Sequence, residues 1–170
     1  MLKQILVKQA RHAIPQYRRF EVEAGKDGAR FIEAEHMLLA LAAAPEIEAG
    51  RLLIESGLDH DRLTAALRDE HRESLAFAGF QAPAERRFEA TELDRHISMG
   101  TSAKAALGRA VHASHRERQR RGRLASIDVL IGILQAELGT VPRALAIAGV
   151  DRGALIALAR RAKGVTGPPC

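Results

Sequence analysis

The chain has 170 residues, 46% of them hydrophobic, a formal net charge of +5 and only 4% aromatic residues. Its length suits one compact domain or two small halves that share a core. No apolar run approaches the roughly 18 residues that a membrane helix needs, and the single cysteine, Cys170, excludes an internal disulfide. The composition predicts a cytoplasmic protein without a membrane span.

Helical patterns dominate the chain, and strand signals are scarce. We predict an all-α fold whose first helix covers residues 3–22 and is kinked or restarted at Pro15. Further helices are predicted over residues 35–44, 46–56, 60–74, 101–119, 126–137, 140–148 and 152–163. Because aromatic residues are few, the core is expected to consist mainly of Ala, Leu, Ile and Val.

The second half of the chain repeats the first. The stretch EAEHMLLALAAAPEIEAGRLLIESGLD at residues 33–59 aligns without a gap with ASIDVLIGILQAELGTVPRALAIAGVD at residues 125–151. Apolar residues match along both stretches, but the charged opening EAEH is replaced by ASID. The alignment predicts a repeated buried face, with different chemistry at the start of each stretch.

Each stretch ends in a turn between two helices. Gly57 and Gly149 suit the left-handed position that follows a helix. Asp59 and Asp151 suit the N-cap of the next helix, where a carboxylate accepts a hydrogen bond from a free amide. We therefore predict the same helix stop and helix start in both halves.

These features predict a first repeat at residues 1–75, a linker at 76–98, a second repeat at 99–163 and a flexible tail at 164–170. The linker contains three phenylalanines, which we expect to pin it across the two halves. They are Phe77, Phe80 and Phe88.

Four short motifs occur in the same order in both halves. In the first half they are Ala10-Arg11, Gly28, Glu35–Leu41 and Gly57–Asp59, and in the second Ala103-Lys104, Gly122, Ile127–Leu134 and Gly149–Asp151. This pattern resembles the Clp N-terminal domain, or Clp repeat domain, of the Clp/Hsp100 protein unfoldases, over roughly residues 1–163. The resemblance is to the ClpC type, without the ATPase modules. It implies two tandem four-helix repeats related by a pseudo-twofold axis in one compact domain.

The resemblance also implies a function. In ClpC-type domains a Glu in each repeat is implicated in binding the guanidinium of phosphorylated arginine. Glu35 occupies that place in the first repeat, whereas Ile127 occupies it in the second and offers no acceptor. The chain is thus expected to bind protein or peptide, as a recognition or adaptor module or as a decoy. Expected partners are Clp unfoldase or protease components, adaptors, arginine-phosphorylated clients and cyclic-peptide inhibitors.

The candidate binding residues surround the first repeat and the groove between the repeats. They are Glu35, His36, Lys8, Arg11 and Phe80. Glu35 also has a purely structural interpretation. An acid in the first turn of a helix interacts favourably with the positive end of the helix dipole and can help cap the helix. His36 is equally compatible with a partly buried helix position.

A basic stretch, RERQRRGR, provides an alternative function. Its arginines are Arg116, Arg118, Arg120, Arg121 and Arg123. They could neutralise phosphates of a nucleic acid or dock on an acidic protein, but no aromatic residues interleave them, and a solvated helix end is the favoured interpretation. Nucleic acid is therefore not the favoured partner.

No catalytic set, metal site or cofactor site is predicted, so we do not expect an enzyme. His112 and His115 have helical spacing but lack a third ligand. Gly25-Lys26 lacks the rest of a P-loop. The paired acids Glu21 and Glu23 are interpreted as surface residues. The chain is expected to be either a free-standing repeat protein or a fragment of a longer one.

Overall fold

The computed structural model describes residues 14–80, 96–114 and 123–165. Within these residues it contains eight helices and two very short strands. In chain order they are α1 (Tyr17–Lys26), β1 (Phe31–Ile32), α2 (Ala34–Ala42), α3 (Glu48–Glu55), α4 (His60–Phe77), β2 (Ser98–Met99), α5 (Thr101–Ala113), α6 (Ser126–Leu134), α7 (Thr140–Ile147) and α8 (Arg152–Val165). The predicted all-α class is confirmed, and no helix in these three ranges is long and apolar enough to cross a membrane.

Most helix bounds agree with the sequence pattern to within a few residues. Of the predicted first helix, residues 3–13 lie outside the described residues. Helix α1 begins at Tyr17, directly after the turn at Pro15, as expected for a residue without an amide hydrogen, and it continues to Lys26, past the predicted end at residue 22. Helix α4 runs to Phe77, past the predicted end at residue 74 and the repeat boundary at residue 75. It stops before Gly79, whose φ of 81° ends the helical geometry.

The two predicted turns are confirmed in both halves. Gly57 and Gly149 have φ values of 73° and 70°. The Oδ1 atoms of Asp59 and Asp151 accept hydrogen bonds from the amides three residues later, at 2.8 and 3.1 Å. The same stop and start therefore joins α3 to α4 and α7 to α8.

Equivalent helices in the two halves start at equivalent positions. Helix α2 begins at Ala34 and α6 at Ser126, which are aligned residues, and both helices have nine residues. Every residue of α6 is buried, and in α2 only Glu35 is not. These two helices contact each other in the interior, and the remaining elements pack around them.

A short parallel pairing joins the two halves at one edge. Phe31 pairs with Ser98 and Ile32 with Met99, and the Gly100 amide donates to the Ile32 carbonyl at 2.7 Å. Two-residue strands have no alternating pattern, so the sequence did not predict them. The pairing brings the start of α5 next to the start of α2.

Long-range polar contacts also join the halves at α4. The guanidinium of Arg143, on α7, donates to Glu70 Oε1 on α4 at 2.7 Å. Arg62 Nη2, in the first turn of α4, donates to the Ala148 carbonyl at 2.8 Å, at the end of α7. Helix α4 of the first half is therefore bound to the second half through its first turn, at Arg62, and through its middle, at Glu70.

The interpretation of Glu21 and Glu23 as surface residues is wrong. Their exposed fractions are only 1% and 6%. Glu21 Oε1 lies 2.6 Å from His96 Nδ1, and Glu23 Oε2 lies 3.1 Å from His60 Nε2. A buried carboxylate needs such partners to offset its lost hydration. The sequence could not reveal these contacts because His96 and His60 are far away along the chain.

The expectation that the linker phenylalanines pin the halves together is also wrong for the two that the structure describes. Phe77 is 97% exposed and Phe80 is 65% exposed, whereas Phe88 lies outside the described residues. Because α4 continues as far as Phe77, both side chains stand beyond its packed portion. The buried aromatic residues come instead from α1, namely Tyr17 and Phe20.

Helices α5 and α6 approach each other closely at Gly132. A Cβ atom on this glycine would lie 2.3 Å from the Ala106 carbonyl oxygen and 2.8 Å from the Ala110 nitrogen. Backbone atoms cannot retreat as a flexible side chain can, so the contact between these helices requires glycine here. By contrast, a Cβ atom on Gly108, in α5, would meet nothing within 4 Å.

We expect Gly132→Ala to lower the free energy of unfolding by about 1–3 kcal/mol, because the added methyl group overpacks the α5–α6 contact. Gly108→Ala is the matched control, since it also replaces a glycine inside a helix. It should leave stability unchanged or raise it by up to about 1 kcal/mol through helix propensity. Denaturant unfolding of the two variants and wild type measures the difference, and equal stability would contradict the packing argument.

Candidate functional site

The start of α2 is organised by Glu33 and His36. Glu33 is the N-cap residue, with extended φ and ψ of −110° and 174°. Its amide donates to Nδ1 of His36 at 2.9 Å, and the two residues form a capping box. The sequence allowed Glu35 to cap this helix, but in the structure Glu33 and His36 form the cap.

The buried His36 ring also reaches the end of α1. Its Nε2 lies 3.4 Å from Oδ2 of Asp27, the residue that follows α1. Because Nδ1 accepts a hydrogen bond from the Glu33 amide, Nε2 is the ring nitrogen that donates towards Asp27. The hydrogen bond from His36 holds the pKa of the Asp27 carboxyl below its usual value. Nδ1 of His36 thus helps to cap α2, and Nε2 joins α2 to the end of α1. A ligand-binding role for His36 stays a prediction.

Glu35 differs from its acidic neighbours because it is partly buried yet unpaired. Burial raises the pKa of its carboxyl group, and this effect outweighs the lowering by its own backbone amide and by His36. The negative charges of Glu33 and Asp27 add smaller upward contributions to this pKa. Among residues 14–80, 96–114 and 123–165, no cationic side chain forms an ion pair with Glu35. The charged form of such a carboxylate is stabilised by a cationic group that neutralises it and donates hydrogen bonds to it.

The equivalent place in the second half is closed. Ile127 is only 2% exposed, and Asp128 is fully buried. Oδ1 of Asp128 lies 2.7 Å from Nζ of Lys163, on α8, so this carboxylate is paired inside the protein. The start of α6 therefore offers no carboxylate to a ligand at the surface.

The other predicted site residues are dispersed. Phe80 is exposed beyond the end of α4, and Arg123 is exposed ahead of α6. The remaining candidates lie outside the described residues; they are Lys8, Arg11, Arg116, Arg118, Arg120 and Arg121. His112 is exposed, while His115 is not described. In the described part of the chain, no three His, Cys, Asp or Glu side chains are grouped as a metal would require.

The fold resembles that of a solved structure, the N-terminal domain of the caseinolytic protease associated chaperone ClpD from Arabidopsis thaliana. The TM-score is 0.60, and the match covers 88% of this chain and 88% of that one at 21% sequence identity. The chain has the Clp N-domain fold. No protein-family model and no curated protein matches the sequence. The likeness supports the predicted fold, while the ClpC-like detail rests on the sequence resemblance alone.

We expect Glu35→Gln to stabilise the protein increasingly as pH rises. Because the folded-state pKa of Glu35 is raised above its ordinary value of 4.5, ionisation opposes folding. The benefit of the neutral side chain is absent below that value and appears as pH rises through the raised pKa. Denaturant unfolding of both proteins across this range measures the difference, and a gap that shrinks with rising pH would contradict the burial of Glu35.

Proposed function

We propose that the protein is a non-enzymatic module that binds proteins or peptides within a Clp protease or unfoldase system. The observation that carries this proposal is the partly buried, unpaired carboxylate of Glu35, beside Asp27 and Glu33, on a Clp N-domain fold. The fold supports the association with Clp components, and the carboxylate supports a cationic ligand. A cationic side chain of a client or partner is the ligand that this electrostatic setting favours.

Arginine is the side chain that best fits such a site. Its planar guanidinium presents paired N–H donors to the two oxygens of a carboxylate and loses less hydration than an ammonium on burial. Phosphoarginine is the form that the family resemblance suggests. Its phosphoryl group would be repelled by Asp27 and Glu33 and would need cations of its own, for which Lys8 and Arg11 are the candidates.

The two halves would contribute unequally to binding. The first half presents Glu35, whereas the second half buries Ile127 and neutralises Asp128 with Lys163. We therefore propose one site for a cationic ligand per chain rather than two. The doubled fold would serve stability, and only the first copy would bind the ligand.

A cytoplasmic location and the finer roles stay predictions. One site for a cationic ligand on a Clp N-domain fold is compatible with several of these roles. They are delivery of clients, competition for clients, occupation of an adaptor and binding of cyclic-peptide inhibitors. The nucleic-acid alternative gains no support, since Arg123 is the one arginine of the basic stretch that the structure describes.

Calorimetric titration with two peptides that each contain a single arginine, unmodified in one and phosphorylated in the other, tests this proposal. We expect near one-to-one binding of at least one peptide to the wild type. Glu35→Gln should weaken it about tenfold or more, because the charge-assisted hydrogen bonds are lost while the side-chain shape is retained.

Glu48→Gln is the matched control, since Glu48 is also an acid in the first turn of a helix, α3. This variant should bind like the wild type. Two equal sites per chain would contradict the proposed inequality of the halves. Absence of binding to both peptides would remove the arginine ligand and leave Clp components as partners to be sought by pull-down.

A further inference from the structure

The start of α2 is held by a residue from the other half of the chain. Glu33 Oε2 accepts hydrogen bonds from the amide and hydroxyl of Ser102, at 2.9 and 2.5 Å. Ser102 Oγ in turn accepts the amide hydrogen of Ala34 at 2.8 Å. Three hydrogen bonds thus join the N-cap and first residue of α2 to the first turn of α5. We call these contacts the Glu33–Ser102 junction.

The backbone next to the junction is adapted to it. A Cβ atom on Gly100 would lie 1.8 Å from Oε1 of Glu33, so only a glycine leaves room for this carboxylate. The parallel pairing of β1 with β2 places Gly100 directly across from the residues that precede α2. The fit of the Glu33 carboxylate therefore depends on both the side chain of Ser102 and the absence of one at Gly100.

We propose that Ser102 is a positioning residue for the Glu35 site, so that the binding site of the first half is completed by the second half. This inference rests on the proposed function, because it concerns the site where the cationic ligand would bind. Ser102 would not itself contact the ligand. It would act by fixing the helix turn that carries Glu35.

The physical reason lies in the amides at the start of a helix. The first four N–H groups have no acceptor within the helix, and Ser102 Oγ is the acceptor for that of Ala34. Without it, the first turn of α2 would open more often. Glu35 is the next residue after Ala34, so such opening would expose its carboxylate to water and blur its position relative to Asp27.

The junction also distinguishes the two halves. The residue aligned with Glu33 is Ala125, which caps α6 without a side-chain hydrogen bond. The second half therefore lacks the carboxylate that such a junction needs. Ser126, at the first position of α6, makes a different cross-half contact, since its Oγ accepts the amide hydrogen of Ala49 at 3.3 Å.

Ser102→Ala tests the inference, with Ser102→Thr as the conservative variant and Ser126→Ala as the matched control. Ser126→Ala also removes a serine oxygen that accepts an amide hydrogen at the start of a helix. That amide is Ala49, in the first turn of α3, and Ser126 is far from Glu35 in sequence. Two properties should be measured for each full-length protein. One is the pKa of Glu35 by carbon-detected NMR without ligand, and the other is the affinity for the two single-arginine peptides.

We expect Ser102→Ala to lower the pKa of Glu35 towards 4.5, because the carboxylate regains water. It should also weaken peptide binding about threefold to tenfold, as expected when the competent conformation is less populated. Ser102→Thr should retain both properties, since its hydroxyl can replace that of serine. Ser126→Ala should retain both as well, even if it lowers the free energy of unfolding.

An unchanged pKa of Glu35 in Ser102→Ala would overturn the inference, as would unchanged affinity for a peptide that the wild type binds. An equal effect of Ser126→Ala on both properties would also overturn it, because the effect would then reflect general loosening. If the wild type binds neither peptide, the arginine proposal fails, and the pKa comparison alone decides whether Ser102 positions Glu35.

Discussion

The packing of α2 against α6 in the interior is the constraint on which the rest of the structure depends. Both helices are apolar on nearly every side, so both must be surrounded by protein. Helices from both halves are needed to cover α2 and α6. At Gly132 the contact between α5 and α6 is too close for even a Cβ atom. A helix that is buried this deeply reaches the surface only at its ends, and Glu35, the one residue of α2 that is not buried, lies in its first turn.

Burial of the central helices also determines how charges are distributed. Carboxylates that lie under the covering elements are each matched with a cation or a histidine, as in Glu23 with His60 and Glu70 with Arg143. Removing one partner from such a pair leaves a buried charge without compensation. Among the described residues Glu35 has no such partner, burial raises the pKa of its carboxyl group, and its neighbours Glu33 and Asp27 are themselves acidic. This setting, rather than the presence of an acid alone, is the basis of the proposed ligand site.

Local signals in the sequence predicted the order of the helices, the two turns and the inequality of the halves at Glu35 and Ile127. Those features depend on neighbouring residues or on a repeat that can be read directly. The hydrogen bonds of Ser102 to Glu33 and the burial of Glu21 could not be predicted in this way, because each joins residues from distant parts of the chain. The capping box was also obscured, since His36 fills the place where Glu or Gln is usual.

The contacts that cross between the halves have a consequence for synthesis on the ribosome. Glu70, near the end of the first half, is matched by Arg143, and Arg62 bonds the carbonyl of Ala148. When the first half has left the ribosome, these partners have not yet been translated. Until α7 emerges, the Glu70 carboxylate lacks Arg143 and is hydrated by water instead, and the face of α4 that packs on α7 is uncovered. We therefore expect the two halves to complete their packing together, late in translation.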